Sequence, residues 1–418
     1  MEGKFIVMGG SRLSGEVSVS GAKNSVLPIM AASLLAEGLS VIKGVPNLRD
    51  VEVMQEVLEA LGAAVRRKGT TLEIDASNIG STEIPENLTR KLRASNLIIG
   101  ALLSRMGKVN VSYPGGCDIG SRPLDLHIKG LRMLGAVVQE KGGFIYARAG
   151  TLVGTDIHLD FPSVGATENL MLAATLAKGR TVIRNAAKEP EIIDLQNFLN
   201  RLGARVKGAG MGTVVIEGAR ELGCTEYEVI PDRIEASTLM IAGAITRGRV
   251  TITNIIPEHV EPVMAKLKEA GGSVEVNGSR VTIDGSEAVK AVDIKTLPYP
   301  GFPTDVQPQM MALLASAEGT SVVTESIFEN RFKHAGELRR MGADIKIEGR
   351  TAVIKGMPKL SGALVEATDL RAGIALILAG LVAEGITVVE NISHIQRGYE
   401  NIEKKLNALG AKVVLIDR

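Results

Sequence analysis

Two patterns of apolar and polar residues alternate along the whole chain. In the first, exemplified by "NLMLAATLAKG" and "AGIALILAGLVAEG", apolar and small residues occupy nearly every position up to a glycine, and a β-rich segment follows. In the second, exemplified by "EVMQEVLEALGA", Val and Leu recur at helical spacing between Glu and Gln. The first pattern predicts helices surrounded by protein, and the second predicts helices with one face in water.

Both patterns repeat with a common period. The amphipathic stretches close on glycines that are 68 to 73 residues apart, so six copies account for the 418 residues; these glycines are Gly62, Gly135, Gly203, Gly271, Gly342 and Gly410. A second set follows the apolar runs: Gly38, Gly107, Gly179, Gly248, Gly319 and Gly385. Each glycine of the second set is expected to end its helix in the left-handed conformation.

The repeat predicts an α/β protein of two inside-out domains with three copies each. Each copy is expected to run strand, buried helix, strand, surface helix and strand hairpin, with the apolar helices inside and the sheets outside. The sixth copy stops at "AKVVLID" without its last strand, and the N-terminal "GKFIVMGG" has the pattern of that strand. The predicted domains are therefore residues 22–230 and residues 1–21 plus 231–418.

Composition narrows the classes of function. The chain has a formal net charge of +1, 3% aromatic residues and no Trp. These values do not predict a surface that binds nucleic acid or an anionic membrane. The apolar run "IALILAGLVA" has half of the roughly 20 residues that a membrane span needs, and the N-terminus lacks a signal-peptide pattern. Two Cys and five scattered His predict neither a disulfide framework nor a metal site. We expect a soluble cytoplasmic protein without a metal, and the sequence gives no sign of a cofactor or an obligatory protein partner.

Cations occur where the buried helices are predicted to begin. Lys23, Arg93, Arg233 and Arg371 oppose the helix dipole there, which is disfavoured unless an anion lies nearby. They predict an anion site, and removing Lys23 should weaken anion binding with little effect on stability. The alternative is that these segments serve only as helix N-caps, a role expected for Ser25, Thr167 and Thr304.

One copy carries an unusual loop. The interval from Gly107 to Gly135 is 28 residues, whereas the other copies have 23 to 25, and Cys117 lies in this longer connection between glycines and Arg122. A thiol on a flexible, electropositive loop is typical of a reactive cysteine, although the neighbouring Asp118 would raise its pKa. The alternative is a buried, inert cysteine, and that is what we expect of Cys224.

At these residues the sequence resembles the UDP-N-acetylglucosamine 1-carboxyvinyltransferase family of enolpyruvyl transferases, along the whole chain. The resemblance rests on "SGAKNSVLP", "LRASN", "PGGCDIGSRPLDLHI", "SVGATEN", "AAKEPEIIDL", "PDRIEAST", "FPTDVQPQ", "IFENRF", "TDLRAG" and "RGYENIEKKL". It implies transfer of the enolpyruvyl group of phosphoenolpyruvate to the 3'-hydroxyl of UDP-N-acetylglucosamine with release of phosphate, in peptidoglycan synthesis. The shikimate-pathway enolpyruvyl transferase, which has the same fold without the Cys loop, and a non-catalytic repeat scaffold are the alternatives.

The resemblance also implies roles for single residues. Cys117 matches the proton donor, which the epoxide fosfomycin would alkylate, and Asp305 matches the group that takes the hydroxyl proton. The positions that match the phosphoenolpyruvate-binding set are Lys23, Asn24, Arg122, Arg331, Arg371 and Arg397. Those that match the surroundings of the UDP-sugar are Arg93, Arg122, Pro123, Leu124, Asp125, Leu126, Ser163, Val164, Gly165, Asp305 and Ile327.

Overall fold

The computed structural model describes residues 3–115, 119–120 and 124–417. The helices, numbered along the chain, are α1 (Lys23–Ala32), α2 (Arg49–Ala60), α3 (Glu86–Thr89), α4 (Leu97–Met106), α5 (Asp125–Met133), α6 (Val164–Ala174), α7 (Pro190–Arg201), α8 (Arg233–Ile245), α9 (Glu261–Glu269), α10 (Gln307–Leu314), α11 (His334–Arg340), α12 (Leu370–Val382), α13 (Ser393–Gln396) and α14 (Ile402–Ala408).

The strands are short, most of them five residues long. They are β1 (Lys4–Met8), β2 (Ser14–Ser18), β3 (Leu39–Lys43), β4 (Ala64–Lys68), β5 (Thr71–Asp75), β6 (Lys108–Ser112), β7 (Val137–Lys141), β8 (Phe144–Arg148), β9 (Asp156–His158), β10 (Arg180–Arg184), β11 (Arg205–Lys207), β12 (Thr213–Glu217), β13 (Glu226–Glu228), β14 (Arg249–Thr253), β15 (Ser273–Asn277), β16 (Arg280–Asp284), β17 (Ile294–Lys295), β18 (Thr320–Thr324), β19 (Asp344–Glu348), β20 (Thr351–Lys355), β21 (Leu364–Glu366), β22 (Ile386–Glu390) and β23 (Lys412–Ile416).

The described residues form two compact units, each with its own hydrophobic core. Unit A contains residues 21–115 and 124–230, and unit B contains residues 3–20, 119–120 and 231–417. Residues 119–120 belong to unit B, where the Asn330 N–H donates to the Ile119 carbonyl over 3.0 Å. Across residues 3–115, 119–120 and 124–417, no helix has both the length and the apolar composition needed to cross a lipid bilayer.

Each unit is an inside-out α/β structure, as the sequence predicts. The interior of unit A holds α1, α4 and α6, and that of unit B holds α8, α10 and α12, all of them buried along nearly their whole length. Small sheets surround these helices: β13-β3-β5-β4, β6-β8-β7 and β9-β10-β12-β11 in unit A, and β15-β16-β14-β2, β17-β18-β20-β19 and β21-β22-β1-β23 in unit B. The apolar runs are thus inside because protein covers them on every side.

The N-terminal strand completes the sixth copy, which confirms the predicted pairing. β1 lies between β22 and β23 and is antiparallel to both, with Lys4 opposite Ile416 and Met8 opposite Lys412. It has the place in its sheet that β5, the hairpin strand of the first copy, has in the sheet β13-β3-β5-β4. The first residues of the chain therefore supply main-chain hydrogen bonds to the last ones.

The glycines after the buried helices have positive φ in five copies, among them Gly107, which caps α4 at φ 71. Only Gly107 ends its helix directly, because the other five glycines follow the last helical residue by three to five positions, so the prediction that each glycine ends its helix is wrong for them. In the fourth copy, moreover, the positive φ, 51, is found one residue earlier, at Arg247. Gly248 is needed for space instead, because a Cβ there would lie 2.0 Å from the Leu13 carbonyl oxygen. In the fourth copy, Arg247 therefore adopts the left-handed conformation, and Gly248 allows the close approach of Leu13, the residue before β2.

Candidate functional site

The centre of the candidate site in unit B is Asp305, which lies in the short helical turn Thr304–Val306 before α10. Its Oδ1 accepts a hydrogen bond from Arg331 Nη2 over 3.0 Å, and its Oδ2 accepts one from Arg371 Nη2 over 3.1 Å. The two arginine side chains are only 2% and 4% exposed, whereas that of Asp305 is 28% exposed. The carboxylate is therefore held from behind by two buried cations and presents its remaining surface to solvent or to a ligand.

Arg331 and Arg371 have further hydrogen-bond donors besides those that bind Asp305. Arg331 Nε and Arg371 Nε and Nη1 are buried and have no hydrogen-bond partner among the described residues. A buried N–H that stays unsatisfied costs about 1–3 kcal/mol, and more when it belongs to a charged group. A second anion beside Asp305 would satisfy them, so this pair of arginines favours the binding of an anionic ligand.

Arg371 is fixed by a polar network in the core of unit B. Its guanidinium carbon lies 5.3 Å from the centre of the Tyr399 ring, within the range of a cation–π contact. The Tyr399 hydroxyl lies 2.9 Å from Thr238 Oγ1 and accepts from Gln309 Nε2 over 3.1 Å. Gln309 Nε2 also donates to the Asp305 carbonyl over 2.9 Å. Gln309 and Tyr399 thus help to position both Asp305 and Arg371.

His334 supports Arg331 in its neutral form. Its Nδ1 donates to the Arg331 carbonyl over 3.1 Å. Burial lowers the pKa of His334 to about 4, although the Asp369 carboxylate opposes the shift. The ring is therefore uncharged near neutral pH, and it adds no positive charge behind the two arginines.

Glu325 joins the Asp305 segment to the loop that carries Ile327. This carboxylate is fully buried; its Oε1 accepts from the N–H groups of Ile327 and Phe328 over 2.9 and 3.1 Å, and its Oε2 accepts from Thr304 Oγ1 over 3.0 Å. One side chain thereby holds Ile327 and Thr304, the residue that precedes Asp305. Arg397 lies directly after α13, half-buried.

In unit A, Lys23 begins α1 and forms a buried ion pair. Its Nζ lies 3.1 Å from Asp50 Oδ2, and the two side chains are 11% and 5% exposed. Asn24 follows at half-buried exposure. The counter-anion of Lys23 is thus a carboxylate of α2, so the expectation that its removal leaves stability unchanged needs revision.

A second cluster in unit A connects Arg93 to the start of α6 through His127. Burial, and then the charge of Arg93, lower the pKa of His127 to about 3, so the ring is neutral near pH 7. Its Nδ1 accepts from Asn169 Nδ2 over 2.9 Å. A Cβ on Gly165 would lie 3.4 Å from His127 Cε1, which places the first turn of α6 against this ring.

The side-chain caps expected for α1, α6 and α10 are not observed. Ser163 caps α6 by accepting from the Ala166 N–H over 3.3 Å, while Thr167 donates to the Ser163 carbonyl. Asp232 and Asp369 cap α8 and α12. The prediction of capping by Ser25, Thr167 and Thr304 is therefore wrong; the hydroxyl of Thr304 instead donates to Glu325. A cap precedes the first helical N–H groups, whereas Ser25 and Thr167 lie inside the helix.

The structure brings together some of the predicted residues in each unit. In unit B, Arg331 and Arg371 both bind Asp305, and Glu325 links Ile327 to Thr304, the residue before Asp305. In unit A, His127 lies close to Gly165 and is affected by the charge of Arg93. Leu124, Asp125 and Leu126 begin α5, where Leu124 is buried, Leu126 half-buried and Asp125 exposed. Cys117, Arg122 and Pro123 lie outside the described residues. Cys224, expected to be buried, is exposed, and its thiol donates to the Glu37 carbonyl over 3.0 Å.

Sequence reasoning missed the supporting residues, although a signal for three of them exists. Asn169, Thr238 and Gln309 are polar residues inside predicted buried helices, and each lies six residues after the residue that precedes the helical segment in its copy. A buried polar side chain needs a partner, so each pointed to a polar neighbour in the core. Glu325 gave no comparable signal, because its segment resembles any polar loop.

Comparison with known proteins adds a family. The family model for EPSP synthase (3-phosphoshikimate 1-carboxyvinyltransferase) matches residues 7–406. UDP-N-acetylglucosamine 1-carboxyvinyltransferase 1 of Symbiobacterium thermophilum is 58% identical, over 98% of this chain and 94% of that protein. UDP-N-acetylglucosamine 1-carboxyvinyltransferase 2 of Caldanaerobacter subterraneus subsp. tengcongensis is 57% identical, over 99% of this chain and 100% of that protein.

Solved structures give the same architecture. The enolpyruvyl transferase NikO from Streptomyces tendae superposes with a TM-score of 0.89 at 28% identity, over 100% of this chain and 99% of that one. EPSP synthase from Acinetobacter baumannii superposes with a TM-score of 0.76 at 21% identity, over 99% of both chains. At that identity, the second likeness concerns the fold alone.

Proposed function

Because this chain belongs to the UDP-N-acetylglucosamine 1-carboxyvinyltransferase family of enolpyruvyl transferases, we propose that it transfers the enolpyruvyl group of phosphoenolpyruvate to the 3'-hydroxyl of UDP-N-acetylglucosamine. The products are the 3-enolpyruvyl ether and phosphate, and the reaction serves peptidoglycan synthesis. The observation that carries this proposal is the Asp305 group, in which one carboxylate is held by two buried arginines that keep donors for a second anion.

The anionic substrate uses those donors. Phosphoenolpyruvate carries a carboxylate and a phosphate, and Arg331 and Arg371 offer three buried donor nitrogen atoms of fixed direction. Fixed cations stabilise charge more effectively in a dry site than water does, because they need not reorganise during the reaction. In this proposal Lys23, Asn24, Arg122 and Arg397 complete the set that binds phosphoenolpyruvate.

The reaction is an addition followed by an elimination. The 3'-oxygen forms a bond to C2 of phosphoenolpyruvate while Asp305 takes the hydroxyl proton and Cys117 delivers a proton to the methylene carbon. The tetrahedral intermediate then loses a proton from that carbon and expels phosphate, which restores the double bond. Asp305 suits the first step because Arg331 and Arg371 hold both of its oxygens in place and leave 28% of the side chain exposed.

The sugar nucleotide is assigned to the residues around His127 and to the Ile327 loop. The first turn of α6, Ser163–Gly165, offers N–H groups at a helix N-terminus, which suits the diphosphate. Arg93 adds a cation beside the neutral His127 ring. Residues 122–126 and Ile327 complete this group. Both substrates carry several charges and do not diffuse through a lipid bilayer, so we place the reaction in the cytoplasm.

An acceptor-specific phosphate assay tests the proposal. The protein is incubated with phosphoenolpyruvate and either UDP-N-acetylglucosamine or shikimate 3-phosphate, and phosphate release is followed. We expect release only with the sugar nucleotide, and loss of release in Arg371→Gln, which keeps a polar side chain without the charge. Release with shikimate 3-phosphate alone would overturn the assignment.

Alkylation by fosfomycin tests the role of Cys117 separately. We expect one adduct per chain, on Cys117, and faster labelling when UDP-N-acetylglucosamine is present. Cys224 is an internal control because its thiol is exposed and would react if exposure alone decided the site. Cys117→Asp should retain turnover and escape the epoxide, and Cys117→Ala should lose turnover. An adduct on Cys224, or a fully active Cys117→Ala, would exclude Cys117 as the acid.

A further inference from the structure

The connection that follows β18 departs from the pattern of the repeat. In each copy a strand follows the buried helix, and four copies place Gly or Asn directly after that strand: Gly44, Asn185, Asn254 and Asn391. All four have positive φ, between 53 and 73, in the left-handed region that Gly and Asn adopt most readily. A simple turn therefore satisfies the fold at this position.

The fifth copy has Glu325 at this position, and its side chain is fully buried. The second copy has Tyr113, which begins the connection that contains Cys117. This departure becomes visible once the strand ends are known, and it occurs in the two copies whose connections carry Cys117 and Ile327. Glu325 thus has a task that the turn of the other copies does not require.

Four hydrogen-bond donors converge on the Glu325 carboxylate. Besides the two loop N–H groups and the Thr304 hydroxyl described above, the Thr296 hydroxyl donates to Oε1 over 2.8 Å. The Glu325 N–H donates to the Arg350 carbonyl over 2.9 Å, so the main chain is fixed at the same residue. A buried carboxyl group costs stability unless it is hydrogen-bonded, and these bonds hold it in one place.

Glu325 connects two segments that the proposed reaction must align. Thr304 immediately precedes Asp305, and no side chain among the described residues caps their short helical turn. The two arginines fix the direction of the Asp305 carboxylate. The bond from Thr304 to Glu325, in contrast, fixes the turn itself against the Ile327 loop.

We propose that Glu325 is a positioning residue for the transfer, which sets the distance between Asp305 and the sugar nucleotide bound beside Ile327. The inference rests on the proposed function, in which Asp305 takes the proton of the 3'-hydroxyl. A general base must lie about 3 Å from the oxygen that carries this proton. An error of about 1 Å can lower the rate on the order of a hundredfold. Glu325 itself touches no substrate; it acts through the Thr304 hydroxyl.

Removal of single hydroxyl groups separates positioning from stability. Thr304→Val cuts the link to the Asp305 turn, so we expect kcat to fall about tenfold while KM for UDP-N-acetylglucosamine stays within about twofold, because the base acts in the transition state. Thr296 is fully buried, and its hydroxyl also accepts from the Ser326 N–H over 2.9 Å. Thr296→Val should therefore lower Tm more than Thr304→Val does and lower kcat less, because Thr296 does not adjoin Asp305.

Glu325→Gln tests the carboxylate directly. Its amide oxygen can still accept from the N–H groups of the Ile327 loop, whereas its amide nitrogen is a donor where Oε2 accepted from Thr304. We expect kcat to fall about tenfold with KM for UDP-N-acetylglucosamine within about twofold of the wild type. When combined with Thr304→Val, the loss should stay about tenfold and not reach about a hundredfold, because both changes break the same link.

Steady-state phosphate release and scanning calorimetry on the same samples measure kcat, KM and Tm. Thr251→Val is the matched control in the same unit, since the Thr251 hydroxyl is half-buried, lies 2.9 Å from Thr282 Oγ1 in an outer sheet and should not affect kcat or KM. Wild-type kcat in Thr304→Val, losses that multiply in the double variant, or a larger kcat loss in Thr296→Val would overturn this inference alone. A wild-type chain that releases no phosphate would overturn the proposed transfer, and the inference with it.

Discussion

The buried pair of Lys23 and Asp50 gives Lys23 two separable roles. The two side chains are 11% and 5% exposed and 3.1 Å apart, so removal of the ammonium leaves a carboxylate buried beside α1. Breaking a buried ion pair by removing one partner costs about 3–5 kcal/mol. In a unit of roughly 200 residues each kcal/mol lowers Tm by about 2–4 °C, so Lys23→Met should melt about 6 to 20 °C below the wild type.

A second change separates stability from function. Lys23→Met keeps most of the aliphatic stem, and Asp50→Asn in the same chain removes the buried carboxylate charge that pairs with Lys23. We expect the double variant to regain most of the lost Tm. Its kcat/KM for phosphoenolpyruvate should stay at least tenfold low, a loss of about 1.4 kcal/mol, because the cation that holds the substrate is still missing.

Scanning calorimetry and the phosphate assay measure the two roles on the same samples. Lys43→Met is the matched control, because Lys43 in the same unit pairs with Glu226 at an exposed position, and we expect it to leave Tm unchanged. A Lys23→Met variant as stable as the wild type would show that Asp50 does not depend on the ammonium. Recovery of turnover in the double variant would remove Lys23 from the substrate site.

Three further changes follow from the contacts. Tyr399→Phe keeps the ring beneath Arg371 and should leave KM for phosphoenolpyruvate nearly unchanged, whereas Tyr399→Leu should raise KM about tenfold, as steady-state kinetics would show. Burial lowers the pKa of His127 to about 3 in the folded chain, whereas in the unfolded chain the ring binds a proton below about pH 6.5. The free energy of unfolding should therefore fall as the pH drops below about 6.5, and denaturant titrations of His127→Gln should show a smaller decline. Phe5→Ala should cost about 3–5 kcal/mol in urea unfolding, because Phe5 is 1% exposed between β22 and β23, and exposed Met8→Ala should cost little. Each prediction compares two proteins: Tyr399→Phe with Tyr399→Leu, His127→Gln with the wild type, and Phe5→Ala with Met8→Ala. Equal results for the two proteins of a comparison would contradict the contact that it tests.

The repeat made the fold predictable, because each copy supplied independent evidence for the same elements. Apolar runs identified the buried helices, and the strand missing from the sixth copy identified the partner of β1. Exact turns were less predictable. Positive φ falls on Arg247 rather than Gly248, since the approach of Leu13 decides that position and the sequence gives no sign of it.

In the site, the cations were easier to predict than their partners. Lys23 and Arg371 stand out in sequence because they oppose a helix dipole. Asp50 does not stand out, because an acid in the first turn of an amphipathic helix is favoured there without any partner. Glu325 likewise lies in an ordinary polar loop, and only the fold brings its carboxylate to Thr304. Long-range pairs of this kind depend on packing, which local pattern does not encode.

Differences among copies locate function more sharply than the pattern they share. At the sixth position after the residue preceding the buried helix, three copies have Pro28, Ile98 and Ala375, which need no partner. The other three have Asn169, Thr238 and Gln309, whose hydrogen bonds fix His127 in one unit and Tyr399 in the other. A buried polar group costs stability unless it is paired, so each of these side chains persists with a specific partner. The fold that the copies share sets the expectation of an apolar residue at this position, and a polar residue there indicates a side chain that holds a specific partner.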